Sequence, residues 1–139
     1  MAWDISNLPW LTKPGFDYRT QCQGLKSLEI SGLAERLVKL ANCSFNLNQS
    51  LQLARQTDRL LSNDPGFQGD LRPFQLSLVC DGTTDFLVPA LKATCLRYGI
   101  LLDVVCGQFG QTLQEVVDPE SKIYEGSPDA ILVAISHHG

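Results

Sequence analysis

The sequence predicts an α/β fold: a helical N-terminal arm followed by a partial, doubly wound parallel sheet of three strands. Three observations lead there. Apolar side chains recur at helical spacing through residues 31–62. Three short apolar runs follow, at 74–80, 100–106 and 130–136. Helix-like segments separate these runs, and strands apolar on both faces between helices belong to a parallel sheet covered on both sides.

In the arm, residues 1–14 (MAWDISNLPWLTKP) hold both tryptophans. Pro9 and Pro14 forbid a regular helix. This segment is expected to be extended, with Trp3, Leu8, Trp10 and Leu11 packed on a neighbouring surface. Asp17 is placed to cap a short helix over 18–26. In SGLAERLVKLANCS, Leu33, Leu37, Val38, Leu40 and Ala41 form a stripe, with Ser31 as the expected N-cap and Asn42 as its end. A second helix repeats the pattern at Leu47, Leu51, Ala54 and Leu61, capped by Asn46 or Asn48. Residues 63–73 (NDPGFQGDLRP) carry turn signals and are expected to link this helical lead-in (1–62) to an α/β domain over 74–139.

In the α/β part, a helix is expected over 85–98, with Pro89 in its first turn and Gly99 as the left-handed residue that ends it. A second helix is expected over 111–117, stopped by Asp118-Pro119, and Tyr124 is expected to anchor the loop that follows. The third run, AILVAIS, reads as a central strand. A central strand normally feeds further helices and strands, so the chain is expected to be part of a longer one.

The totals exclude several classes. A chain of 139 residues, 44% hydrophobic and 19% charged, is globular and fits one domain. The net charge is −4 and the cations are scattered along the sequence, which argues against nucleic acid. No apolar run approaches the roughly 20 residues of a membrane span, and no secretory signal opens the chain. The five cysteines (Cys22, Cys43, Cys80, Cys95 and Cys106) are odd in number and make no CxxC. Reduced thiols in a cytoplasm are expected, with Cys95 and Cys106 as small core hydrophobes.

The chemistry candidates cluster at expected strand ends. Cys80-Asp81-Gly82-Thr83-Thr84 follows the first strand, where open α/β sheets bind ligands. Gly82 allows close backbone approach, and Thr83 and Thr84 offer hydroxyls and amides to an anion. Alternatively, a threonine caps the helix and Asp81 makes a turn. Cys80 is a candidate nucleophile, for which His137 or His138 would have to act as base. Gln108, Gln111 and Gln114 follow the second strand and could face the same edge, or solvent. There is no Walker or GxGxxG pattern, no metal-ligand spacing and no Asp-x-Asp pair.

Three segments, LPWLTKPGFDYR, LAERLVKLANCSFNLNQSLQLARQTDRL and the run from LVCDGTTDFLVPAL through GQFGQTLQEVVDPES to PDAILVAI, resemble the N-terminal region of FkbH-like proteins. These belong to subfamily IIIC of the haloacid-dehalogenase (HAD) superfamily, in polyketide and related natural-product biosynthesis. The resemblance implies a helical lead-in and an SGNH-hydrolase-like, Rossmann-like α/β domain. A HAD domain with an Asp-x-Asp nucleophile and Mg²⁺ would follow, outside these residues. It also implies transfer of a glyceryl unit to the phosphopantetheine thiol of an acyl carrier protein.

SGNH hydrolases place Gly-Asp-Ser after their first strand, where this chain has Cys80-Asp81-Gly82. The family itself shows a Ser-Asn pair where this chain has Cys80-Asp81. The expected role is therefore non-catalytic: no cofactor in this chain, and an acyl carrier protein or the downstream HAD domain as partner. Asp81, Gly82, Thr83, Thr84, Gln108 and Gln111 are the expected contacts. The rivals are a small SGNH-type esterase or thioesterase acting through Cys80 or Thr83, and a degenerate remnant.

Overall fold

A computed structural model describes residues 8–135. Trp3, His137 and His138 lie outside the described residues. Three helices lead: α1 (Tyr18–Gln23), which runs into a 3-10 turn at Gly24–Ser27, then α2 (Ile30–Ala41) and α3 (Leu47–Asn63). The α/β part follows as β1 (Arg72–Cys80), α4 (Leu87–Leu96), β2 (Ile100–Cys106), α5 (Thr112–Val117), a 3-10 turn at Lys122–Tyr124, and β3 (Ala130–Ala134). The α/β class and the helical lead-in are those the sequence predicts.

Local chemistry explains most of these boundaries. Asn46 opens α3 through a capping box. Its Oδ1 accepts the Gln49 amide at 3.0 Å, and the Gln49 Oε1 accepts the Asn46 amide at 2.8 Å. The helix α2 opens after Glu29, not after Ser31. The Glu29 carbonyl already accepts the Gly32 amide at 3.1 Å, so Ser31 is drawn into the first turn. Pro89 falls in the first turn of α4, where few backbone bonds are lost. Gly99 takes a φ of +70° and turns the chain from α4 into β2.

The sheet has the order β2-β1-β3, and both pairings are parallel. The register runs from Arg72↔Ile100 to Leu78↔Cys106 on one side of β1, and from Leu76↔Ala130 to Cys80↔Ala134 on the other. Leu78 and Val79 are adjacent, so they point to opposite faces, and both are fully buried. Both faces of the carboxyl half of β1 are therefore covered. Among the described residues β1 is the middle strand and β3 pairs with β1 alone; Ile131 and Val133 of β3 remain 41% and 46% exposed. A continuous apolar run marks a strand as apolar without saying which neighbours it will have.

One apolar core spans the chain. It joins Leu33, Leu37 and Leu53 of the lead-in helices to Ala93, Leu96 and Leu101 of the α/β part. Phe67 and Leu71, from the turn-rich segment between them, enter the same core. The cysteines sort differently from expectation. Cys22 and Cys43 are buried, while Cys95 and Cys106 are half-buried; all five are free thiols. Burial pushes the Cys22 thiol up to about 11, so it stays protonated and unreactive near neutrality. Beside it, the buried Tyr18 hydroxyl donates to the Leu40 carbonyl at 2.9 Å.

Trp10 does not pack as expected and is 71% exposed. The N-terminal segment is held by its backbone instead: Thr12 bridges to Cys43, and the Ser44 amide donates to the Thr12 carbonyl at 2.8 Å. The end of α2 is closed from the α/β part. Arg97 Nε donates to the Ala41 carbonyl at 2.9 Å, and its Nη2 donates to the Cys43 carbonyl at 3.1 Å. Its guanidinium also lies 5.4 Å from the centre of the Phe45 ring.

Charged hydrogen bonds to carbonyls are worth about 1.5–3 kcal/mol each when buried, and less where water reaches them. Arg97→Ala is expected to cost about 2 kcal/mol, read as a lower urea midpoint at constant m-value. Arg97→Lys should recover part of the loss, because it keeps the charge without the fork. An unchanged midpoint in Arg97→Ala would exclude this clamp.

Candidate functional site

The loop after β1 leaves the sheet at its carboxyl end. Two backbone contacts shape it: the Asp81 amide donates to the Ala134 carbonyl of β3 at 3.4 Å, and the Gly82 amide donates to Cys80 Sγ at 3.3 Å. Thr83 does not cap α4. Its Oγ1 accepts the Asp85 amide at 3.4 Å, a local turn, and Phe86 occupies the N-cap position with no side-chain cap. The expectation that a threonine caps the helix gives way to this turn, because the helix begins two residues beyond the reach of either hydroxyl.

A cavity of about 230 Å³ opens beside the loop. Cys80, Gly82, Thr83, Thr84 and Asp85 line one part of it, and Gly107 and Phe109, from the loop after β2, line another. Phe109 is exposed and had no role in the sequence reading. The parallel β1–β2 pairing brings the GQFG loop beside the end of β1 and puts Phe109 at the cavity. The Gly107 amide seals that junction by donating to the Leu78 carbonyl at 2.9 Å.

Gln108 and Gln111 do not line this cavity. They line a separate groove of about 590 Å³ with Gln114, Glu115, Ser121 and Lys122. Glu115 organises it. One carboxylate oxygen accepts the Gln108 amide at 2.8 Å, and the other accepts the Ser121 hydroxyl. The Ser121 hydroxyl and the Gln108 amide hold the Glu115 carboxyl below its ordinary value, and Lys122 adds to the effect. Glu115 therefore ties the loop after β2 to the turn at Lys122–Tyr124. Tyr124 does anchor its loop, as expected, by donating its hydroxyl to the Val116 carbonyl. A neighbouring hydroxyl, that of Ser77 on β1, donates to the Ile123 carbonyl at 2.5 Å. Among the described residues, no group of three His, Cys, Asp or Glu side chains is placed to hold a metal ion, so no step through Mg²⁺ is derived for these residues.

The stretch that builds both cavities, from mid-β1 through α4, the GQFG loop and the Glu115 turn to β3, falls within one family match. Residues 75–139 match the model of the FkbH N-terminal domain. The FkbH match takes in Cys80 to Thr84, Gln108 and Gln111, and leaves α1 to α3 outside it. A solved structure is also similar: the N-terminal part of the protein BF1531 from Bacteroides fragilis, containing a phosphatase domain, complexed with Mg. The two are 21% identical, with a TM-score of 0.49; the similarity covers 61% of this chain and 22% of that one. No curated protein matches the chain. No helix among the described residues is long and apolar enough to cross a membrane.

The sign of the Glu115 effect is fixed by its direction. A carboxyl lowered on folding stabilises the fold above its unfolded value, near 4.5, and loses that contribution as pH falls through the folded value. Glu115→Gln is expected to lower the denaturation midpoint at pH 7 and to flatten its fall with acid below pH 4.5. A variant that keeps the wild-type acid slope would remove Glu115 as the residue that ties this loop.

Proposed function

We propose that this chain is a positioning module, itself without catalysis, of a cytoplasmic FkbH-like protein. In this reading it orients an acyl carrier protein or the downstream HAD domain. The glyceryl or acyl transfer, and the Mg²⁺ that serves it, belong to residues outside this chain. The Cys80–Thr84 loop is the contact surface: it presents two threonine hydroxyls at the carboxyl end of β1, beside Phe109 from the loop after β2.

The observation that supports a positioning role is the small cavity where the loop after β1 meets the loop after β2. Its lining is suited to holding a partner's polar atoms, with two threonine hydroxyls and one exposed aromatic face.

In the full-length protein, Asp81→Ala or Thr83→Ala is expected to lower carrier-protein loading by roughly tenfold, the equivalent of about 1.4 kcal/mol of binding. Phosphate release by the HAD domain on a small substrate should stay unchanged. Loading at the wild-type rate in both variants would overturn the proposal. So would a covalent adduct on Cys80 or Thr83 after treatment with a fluorophosphonate or an activated ester, since that would make this segment the esterase.

A further inference from the structure

Arg55 and Arg59 lie one turn apart on α3, and Arg19, far from them in sequence, lies close in space. Arg19 on α1 and Arg55 and Arg59 on α3 line one groove of about 480 Å³, together with Asn48, Gln52 and Gln56. No acidic residue lines it. None of the three arginines makes a hydrogen bond or an ion pair among the described residues, where Lys92–Asp58 is the one salt bridge. Three unpaired guanidinium groups on a chain of net charge −4 are a concentrated exception to its overall charge.

A second observation points to a ligand. Gln56 is only 6% exposed, and its Oε1 is buried with no hydrogen-bond partner. Such an atom costs about 1–3 kcal/mol unless something donates to it. Gln56 lines the same groove as the arginines, so a small rotation of its side chain towards a ligand lying there would bring Oε1 a donor.

The shape of the groove selects the class of ligand. Its α3 wall is formed by residues 48, 52, 55, 56 and 59, one face of a helix over about three turns. At a rise of 1.5 Å per residue this strip is about 16 Å long. A single phosphate would use one end of it. A helix carrying carboxylates at a spacing of three or four residues would match Arg55 and Arg59 along its length. A side-chain amide or hydroxyl of such a helix could donate to Gln56.

We infer that the α1–α3 groove docks an acidic helical segment of a partner protein. This site lies outside the residues matched by the FkbH N-terminal domain and is independent of the role proposed for the Cys80–Thr84 loop. The binding is electrostatic and specific to carboxylate spacing, so it should weaken as salt rises.

The test uses the 139-residue chain and a labelled helix-forming peptide with glutamates four residues apart, beside the same peptide with glutamines. Fluorescence anisotropy should show saturable binding of the glutamate peptide. Binding should be at least tenfold weaker for the glutamine peptide, and at least tenfold weaker for the Arg55→Gln/Arg59→Gln chain. Amide shift changes should fall on α1 and α3. Both arginines are exposed, so the double variant should keep the wild-type circular dichroism and urea midpoint. Binding that survives the double substitution would overturn the inference. So would equal binding of the two peptides, or a groove that takes polyphosphate or an oligonucleotide and ignores the glutamate peptide.

Discussion

The whole molecule is arranged around β1, a strand hydrogen-bonded in parallel on both edges and buried on both faces towards its carboxyl end. Parallel pairing cannot be made by a tight turn, so each neighbour must return by a crossover. The crossover from β1 to β2 is α4, and α4 brings the lead-in helices with it. The crossover from β2 to β3 contains α5 and the Lys122–Tyr124 turn, which Glu115 and Ser77 fasten down. Both candidate cavities are consequences of this arrangement. One lies where the loops after β1 and β2 meet, and the other lies under the return to β3.

The lead-in helices are therefore joined to the α/β part by side chains as well as by the chain. Leu33, Leu37 and Leu53 share a core with Ala93, Leu96 and Leu101. Arg97 supplies the polar half of the same junction. It satisfies carbonyls at the end of α2 that the helix cannot satisfy itself, and does so from the residue just beyond α4. Apolar area gives this junction its strength, and the guanidinium fork gives it a fixed orientation.

Local patterns made much of this legible. Helical spacing located α2 and α3, Asn46 marked a cap, Gly99 marked a helix end, and the second strand falls at Ile100–Cys106 as read. These features depend on neighbours in sequence. Strand order depends on partners in space, so the place of β1 between β2 and β3 is not legible in the apolar runs themselves. For the same reason the sequence does not single out Phe109 or Glu115, and does not tell that Gln108 and Gln111 line the groove that Glu115 organises. Arg19 stands apart from Arg55 and Arg59 in sequence, and only the packing of α1 on α3 brings it to them. Trp10 was expected to be covered because tryptophan usually is, yet backbone bonds at Thr12 hold that segment and leave the ring exposed.

The position of β3 also bears on how the molecule moves. A strand with one partner opens more readily than a strand with two, and local openings of this kind occur far below the cost of global unfolding. The Asp81 amide is bonded to the Ala134 carbonyl, so the first loop residue is fastened to the least secured strand of the sheet. The β1–β3 pair closes about twice the length of chain that β1–β2 closes, but doubling a loop costs only about 0.6 kcal/mol. Both outer strands have one partner, so the difference in security comes from the length paired, five residue pairs for β3 against seven for β2, and not from chain length. Fraying of β3 would free the Asp81 amide while leaving β1, β2 and the core in place, so one anchor of the Cys80–Thr84 loop lies on a neighbouring strand and not within the loop.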